Sequence, residues 1–332
     1  MALNAEDLIS VPGILSRRVR LGTGAIAHYL TAGDIGPPVI LLHGGTVGSS
    51  GMAGWRFMLP ALAEAGFRVY APDRPGYGFA DSRPEHRSKS WLDQVKFVDM
   101  FADALGIDKF HISGNSMGSQ TAIYYMCSHP DRILSSALIA TSGIAGFAGV
   151  PAEEQFQKQV EPRPPFNGTA ASMFALLSPI VWRQEGLTED VLEMRTRSAN
   201  LQKEARILTS TPSNVGSGTV SDPNLEQWHD VGKRFPQFNF PIIYLHGIED
   251  SFAAVENAYL AEERLPNVQF FYPSPCGHQG QTDQPEMFNA VFSEFYRDGK
   301  VSWKTAEWVG VSRRRPINPA YVEEPAGGFP KD

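Results

Sequence analysis

HISGNSMG, residues His111–Gly118, decides how this chain is read. The apolar run Lys109–Ile112 leads into the turn Gly114-Asn115-Ser116-Met117-Gly118, and a helical stretch from Ser119 to Ser128 follows at once. Strand, sharp turn and helix in that order are the setting of a G-x-S-x-G nucleophile elbow. The glycines have a steric reason. Where a strand turns abruptly into a helix the middle residue is strained, and glycine on either side lets neighbouring backbone pass without a Cβ collision. Ser116 is thereby lifted above the strand end, beside N–H groups at a helix N-terminus that can hold a developing oxyanion. The same letters also fit an ordinary glycine-rich β–α turn, so the residues able to serve Ser116 must decide.

Outward from the elbow, strand and helix patterns alternate. Residues 18–32 alternate around Gly22 and Gly24 and read as an antiparallel hairpin. Pro38–Leu42 is a short continuous apolar run, the mark of a strand buried on both faces of a mostly parallel sheet. A helix is expected over Trp55–Ala65, a strand over Phe67–Ala71, a turn over Pro72–Gly78, a helix over Trp91–Leu105 and a strand over Ile133–Ala140. This rhythm predicts a doubly wound α/β sheet. It breaks after Gly143. From about Ala145 to Phe235 there is no strand signal, only helical segments and interruptions such as Glu161-Pro162-Arg163-Pro164-Pro165. Strands resume at Pro241–Gly247 and Val268–Tyr272, and a last helix runs from about Gln284 to Tyr296. The expected organisation is a core of residues 1–143 and 237–298, a helical cap over 144–236 above the strand C-termini, and an extended tail over 299–332. Trp303 and Trp308 would pack that tail on the body or on a second subunit of a homo-oligomer, and Arg313-Arg314-Arg315 reads as a solvated triplet.

Composition narrows the function. The 332 residues are 42% hydrophobic and 20% charged, an ordinary globular balance. The net charge of −7 lacks the basic field of a nucleic-acid binder. No apolar run reaches about 18 residues, so no membrane span is expected. The opening MALNAEDLISVPG has no basic region followed by an apolar core, which makes a cytoplasmic location the default and the sequon Asn167-Gly168-Thr169 meaningless. Two cysteines, Cys127 and Cys276, are too few for a disulfide scaffold or a Cys-based zinc site.

A serine hydroxyl needs a base, and the base an orienting carboxylate. His278 lies in Pro275–Gly280, just after the last expected strand and on the same sheet edge as Ser116. The loop after the preceding strand, Gly247-Ile248-Glu249-Asp250, offers Asp250, with Glu249 in reserve. The order Ser116, Asp250, His278 is that of α/β-hydrolases. For the oxyanion hole, the N–H of Met117 needs a second donor, and Gly45 in His43-Gly44-Gly45-Thr46 supplies it at the end of the strand Pro38–Leu42. His43 itself reads as structural rather than as a base or metal ligand, because no second histidine or acidic cluster at ligand spacing accompanies it. Neither metal nor cofactor is required.

With these residues in view the chain resembles the α/β-hydrolase superfamily over residues 18–297: HGG at 43–45, DRPGYG at 73–78, GNSMG at 114–118, GIED at 247–250 and CGH at 276–278. Within it, LLHGGTVG, ISGNSMG, and CGH followed by Phe288-Asn289 are similar to the meta-cleavage-product hydrolases. The resemblance implies C–C bond hydrolysis in vinylogous 1,5-diketones made by ring fission of aromatics, with an apolar side chain on the substrate. It implies an elbow Asn, matched by Asn115, and a cap arginine for the substrate's dienoate end. The segment Leu187–Arg195 points to Arg195, which shares a helical stripe with Leu187, Val191, Leu192 and Ala199 behind an N-cap at Thr188. Arg197, four after Glu193, reads as a solvated ion pair. Gly44, Thr46, Asn115, Arg195 and Gln279 are the expected substrate contacts. Two positions depart from the family: Gln279 stands where an aromatic commonly follows the histidine, and Ser119 where the elbow has a second glycine. The alternative reading is a carboxylesterase or lactonase using the same triad on a C–O bond.

Overall fold

The chain enters through an antiparallel hairpin, β1 (Leu15–Arg20) and β2 (Ile26–Ala32), as the alternation there requires. Six further strands follow: β3 (Pro38–Leu42), β4 (Arg68–Pro72), β5 (Phe110–Asn115), β6 (Ile133–Ile139), β7 (Ile242–Leu245) and β8 (Val268–Phe271). They form one sheet in the order β1-β2-β4-β3-β5-β6-β7-β8, parallel from β4 to β8. The computed structural model describes residues 3–157, 164–207 and 231–330. Residues 161–163 of the interruption expected over 161–165, and the insertion's residues 208–230, lie outside them.

Alternate residues of the strands feed two cores. Ile40, Leu42, Ile112, Leu138, Tyr244 and Phe270 face one cluster, against the helices Trp91–Ala104, Met117–Ser128 and Val255–Arg264. Val39, Leu41, Ala137, Ile139, Ile243, Leu245 and Phe271 face the other, against Met58–Glu64, Pro285–Asp298 and the tail. Burial on both faces explains why these strands read as continuous apolar runs. Each fully buried Leu or Ile contributes about 1.5–3 kcal/mol of transfer free energy.

Register sets the site. Leu42 pairs with Gly114, and Asn115, Ile139, Leu245 and Phe271 pair in succession across β5 to β8. The loops that follow therefore leave from one edge. From β3 the chain crosses to β4 on one side, and from β5 to β6 on the other, so the β3 and β5 ends flank the switch point where open α/β sheets bind ligands.

Three local expectations are corrected. The helix foreseen at Trp55–Ala65 is two, Gly51–Trp55 capped by the Ser50 hydroxyl, and Met58–Glu64. Thr188 precedes the helix Glu189–Leu201, but its hydroxyl bonds the Asp190 carboxylate instead of a backbone N–H. The tail is not simply extended. It forms the helix Trp303–Val309 and then runs antiparallel along the outer strand, with Tyr272 N donating to Gly310 O at 2.7 Å and Ser312 N to Phe270 O at 2.9 Å. Val301, Val309, Val311 and Val322 fasten it, while Trp308 is exposed. In the arginine triplet Arg313 and Arg314 are exposed, as expected, Arg314 lying 4.1 Å over the Tyr259 ring. Arg315 departs from the expectation: it is half-buried and donates to Leu265 O and Val268 O.

Among the described residues, those between β6 and β7 form helices and turns with no strand, including Ala170–Leu177 and Glu189–Leu201 around Met173, Leu177, Ile180, Val181 and Ala199. No helix there or elsewhere among the described residues is long and apolar enough to cross a membrane.

Candidate active site

Ser116 sits between β5 and the helix Met117–Ser128 with φ +55° and ψ −118°. A non-glycine residue there stores about 1–3 kcal/mol of strain. The surroundings hold it: Ser116 N donates to Ile139 O at 2.8 Å, and Gln120 N returns to Ser116 O at 3.1 Å. A Cβ on Gly114 would lie 2.2 Å from Gly118 C, and one on Gly118 would lie 2.0 Å from Leu42 O. Both glycines are therefore obligatory. Ser119 has its own use. Its hydroxyl donates to Gly114 O at 2.6 Å and accepts from Ile139 N at 2.9 Å, locking the turn to β6.

The β7 and β8 loops bring Asp250 and His278 together. His278 Nδ1 lies 2.7 Å from Asp250 Oδ2, both buried, and Phe252 N and Ala253 N donate to Asp250 Oδ1 at 2.7 and 2.9 Å. His246 is a second imidazole beside this carboxylate, 3.4 Å from Oδ2. Burial alone would raise the Asp250 carboxyl, but His278 and His246 outweigh it and hold it well below the usual carboxylate range. Asp250 is thus ionised and orients a His278 Nδ1–H. Glu249 points elsewhere, accepting from Cys276 N and the Ser274 hydroxyl. The elbow is tied to the histidine loop by Asn115 Nδ2, which donates to His278 O at 2.9 Å.

The His43–Thr46 loop lies on the elbow. A Cβ on Gly44 would be 3.6 Å from Ser116 Cβ, and one on Gly45 would be 2.6 Å from Met117 Sδ. Gly44 O accepts from His43 Nδ1 at 2.8 Å and Arg74 Nη2 at 3.0 Å, and Gly45 O from the Tyr77 hydroxyl at 3.2 Å. In a trans peptide the N–H points opposite to the C=O, so these bonds turn the N–H groups of Gly45 and Thr46 the other way. His43 is structural as expected. Burial and then the Arg74 charge push it down to about 3, so it is neutral, and its Nε2 accepts from Arg74 N at 3.0 Å.

Arg195, on Glu189–Leu201, lies over the same loop. A Cβ on Gly48 (φ +72°) would be 2.5 Å from Arg195 O. The residue is 4% exposed, Nη2 donates to Gln279 Oε1 at 3.1 Å, and Nε and Nη1 have no partner among the described residues. Burial, then Arg56, lowers its pKa to about 9, so it keeps its charge at neutral pH. Arg197 pairs with Glu193 and Asp7 at the surface.

Asp283 joins the insertion to the histidine loop. Its Oδ1 accepts from Trp182 N and Arg183 N at 3.0 and 3.2 Å, its Oδ2 from Gly277 N at 2.9 Å, and His278 N donates to Ile180 O at 3.1 Å.

The sequence profile of the α/β-hydrolase fold family matches residues 37–285, three quarters of the chain. The chain belongs to this family. This hydrolase is 29% identical over 281 residues to the 2-hydroxy-6-oxononadienedioate/2-hydroxy-6-oxononatrienedioate hydrolase of Paraburkholderia phymatum, covering 82% of this chain and 92% of the relative. It is 26% identical over 279 residues to the 2-hydroxy-6-oxo-6-phenylhexa-2,4-dienoate hydrolase of Comamonas testosteroni, covering 82% and 91%. Among solved structures it matches the meta-cleavage product hydrolase of Pseudomonas fluorescens, complexed with acetates, at a TM-score of 0.61 and 26% identity over 86% of this chain and 98% of that one.

Every expected site residue of this hydrolase thus lies at the C-terminal edge of the sheet or on the insertion above it. Reading the sequence missed the roles of Arg74 and Tyr77, which it took as turn residues and as part of a family motif, and it missed Asp283. The signal was available for the first two: DRPGYG follows β4, the neighbour of β3, so its side chains reach the β3 loop.

Proposed function

We propose that this hydrolase cleaves a C–C bond in a vinylogous 1,5-diketone that carries a carboxylate at one end and an apolar substituent at the other. The observation that carries this reading is Arg195: a buried cation with two donors unpartnered among the described residues, above a serine elbow, while Asp250 is committed to His278 and Asp283 to three backbone N–H groups. An uncompensated buried charge is expensive, and an anionic substrate end would compensate it. Phe252, whose ring lies 4.8 Å from that of His278, supplies an apolar wall. The described helices between β6 and β7, Glu189–Leu201 with Arg195 among them, act as a cap over the site.

The carboxylate binds Arg195, and Gln279 holds the guanidinium in place. His278 moves a proton from the substrate enol to carbon, giving the keto form. Ser116 Oγ then gives its proton to His278 and attacks the ketone. The oxyanion is held by the N–H groups of Met117 and Gly45. Its collapse breaks the C–C bond, and the departing dienolate takes a proton from His278. Water, deprotonated by His278, releases the acyl group as an acid. One water is consumed, and two acids leave.

The test uses a yellow ring-fission dienone and p-nitrophenyl esters. Bleaching of the dienone at a kcat/KM well above that for the esters is expected, and Ser116→Ala should lower turnover by at least about 10³-fold while retaining ligand binding. Fast ester turnover without bleaching would sink the C–C reading in favour of an esterase. Comparable activity in Ser116→Ala would remove the serine as nucleophile.

A further inference from the structure

Arg74 is fully buried, yet among the described residues no carboxylate pairs with it. The adjacent Asp73 is committed elsewhere, to His28 at 2.7 Å and to Gly51 N and Phe79 N, each at 2.7 Å. Keeping a bare guanidinium in a protein interior costs several kcal/mol, and an apolar side chain of similar volume would normally be more stable there. A purely structural role therefore explains the residue poorly. Its contacts suggest another. Nη2 donates to Gly44 O at 3.0 Å, and Nη1 donates to Thr121 Oγ1 at 3.3 Å, while that hydroxyl donates to Met117 O at 3.0 Å. One guanidinium thus braces both segments that bear the oxyanion donors, Gly45 on the β3 loop and Met117 on the elbow helix. Its cationic head lies 5.2 Å from the centre of the Tyr77 ring, whose hydroxyl contacts Gly45 O at 3.2 Å and Met117 Sδ at 3.5 Å, a second brace between the same segments.

We propose that Arg74 is the positioning residue of the oxyanion hole: by donating to the Gly44 carbonyl it fixes and polarises the Gly44–Gly45 peptide, aiming a strengthened Gly45 N–H at the charge that develops when Ser116 attacks. The inference rests on Gly45 and Met117 being the oxyanion donors. The chemistry is hydrogen-bond cooperativity. A carbonyl that accepts from a cation draws electron density through the amide, and the N–H at its other end becomes a better donor. His43 Nδ1–H, donating to the same oxygen at 2.8 Å, adds to the effect. Burial lowers the Arg74 pKa only to about 10, so the charge persists through the neutral range. Because the oxyanion exists only after attack, the gain falls on the transition state and not on substrate binding.

The experiment compares Arg74→Met, Arg74→Lys and Tyr77→Phe in the full chain, by steady-state kinetics, by affinity for phenylboronic acid (which forms a tetrahedral adduct on an active serine) and by thermal unfolding. Removing an oxyanion donor outright costs about 10²–10³-fold, and weakening one costs less, so Arg74→Met should lower kcat about 10–100-fold with KM within about 3-fold. Boronate affinity should fall by a similar factor, the thermal midpoint should not drop, and Arg74→Lys should recover part of the loss. Tyr77→Phe, a one-atom deletion that keeps the fold, should lose about 3–10-fold in kcat without a change in KM. Unchanged kcat in both Arg74→Met and Tyr77→Phe would overturn the proposal. So would activity losses that simply follow the loss of thermal midpoint, or boronate affinity equal to that of the wild type. Failure of the underlying reading looks different: Ser116→Ala would then retain turnover and boronate binding whatever the Arg74 variants do.

Discussion

Replacing Arg195 by Met should make this hydrolase more stable and less able to use its substrate, two effects of opposite sign from one change. Burial, with Arg56 nearby, brings the Arg195 guanidinium down to about 9. At 1.36 kcal/mol per pH unit, the fold opposes that charge by about 5 kcal/mol, an upper bound before relaxation. Methionine removes this opposition and fills much of the same space. It forfeits the bond to Gln279 Oε1 and leaves that oxygen needing a partner, a loss of about 1–3 kcal/mol. The balance is a gain of at most about 2–4 kcal/mol, or roughly 4–8 °C in thermal midpoint. Binding moves the other way. Nε and Nη1 are unpartnered among the described residues, and each charge-assisted bond they would make to a carboxylate is worth about 1.5–3 kcal/mol. Arg195→Met should therefore lower kcat/KM for the acid-bearing dienone about 10²–10³-fold and for neutral p-nitrophenyl esters less than about threefold. Scanning fluorimetry and parallel kinetics on the two substrate types measure both arms. A variant that loses stability and loses acid and neutral substrates equally would refute the reasoning, because Arg195 would then be a packing residue.

Two further outcomes follow from buried polar groups. Asp283→Asn replaces an acceptor of three backbone N–H groups by a side chain with a donor of its own, leaving at least one buried N–H unpaired at about 1–3 kcal/mol. Hydrogen exchange should then rise selectively in residues 180–183 and 277–278, and a uniform rise across the chain would show that Asp283 does not tether these segments. His111, bonded to Ser135 Oγ at 2.7 Å and packed on Phe67 and Tyr296, is pushed by burial to about 4. The unfolded chain takes up its proton near pH 6.5 and the folded one does not, so His111 lowers stability as pH falls from about 6.5 to 4, by up to about 3 kcal/mol. Urea midpoints for His111→Asn should show a shallower fall over that window, and an unaltered slope would assign the acid sensitivity to other groups.

The parts of the site that could be read from the sequence are those whose physics is local. Gly114 and Gly118 are demanded by the turn itself, and strand runs such as Pro38–Leu42 announce burial on both faces. Asp250 and His278 followed from one non-local rule, that parallel strands deliver their loops to a common edge, and register later bore that rule out at Asn115, Ile139, Leu245 and Phe271. The rest depends on contacts that no spacing encodes. Gln279 read as a substrate contact standing where an aromatic is usual, and its bond to Arg195, 84 residues away, was not foreseen. Ser119 showed only as a missing glycine until its hydroxyl was found between Gly114 O and Ile139 N. The tail failed for a related reason. Its composition suggested an extended arm, whereas its valines find the free edge of β8, where an unpaired strand would otherwise be open to another chain.

Charge placement is what finally separates the C–C reading from the esterase alternative. During attack on a neutral ester one negative charge forms, and one oxyanion hole is enough. Attack on the ketone of a carboxylate-bearing dienone produces two negative charges in one molecule, the permanent carboxylate and the transient oxyanion. A site for that intermediate needs two cations at separate places and no spare carboxylate between them. Arg195 sits at the insertion with Nε and Nη1 buried and unpartnered among the described residues, while Arg74 stands behind the Gly44 carbonyl. Asp250 is occupied by His278, and Asp73 by His28. Both cations are buried, so salt screens their action on a bound substrate far less than it would surface charges. An esterase of neutral substrates would gain nothing from the cost of burying Arg195, and this makes Arg195, more than the triad or the Arg74 brace that either reaction would use, the structural argument for the bond that is broken.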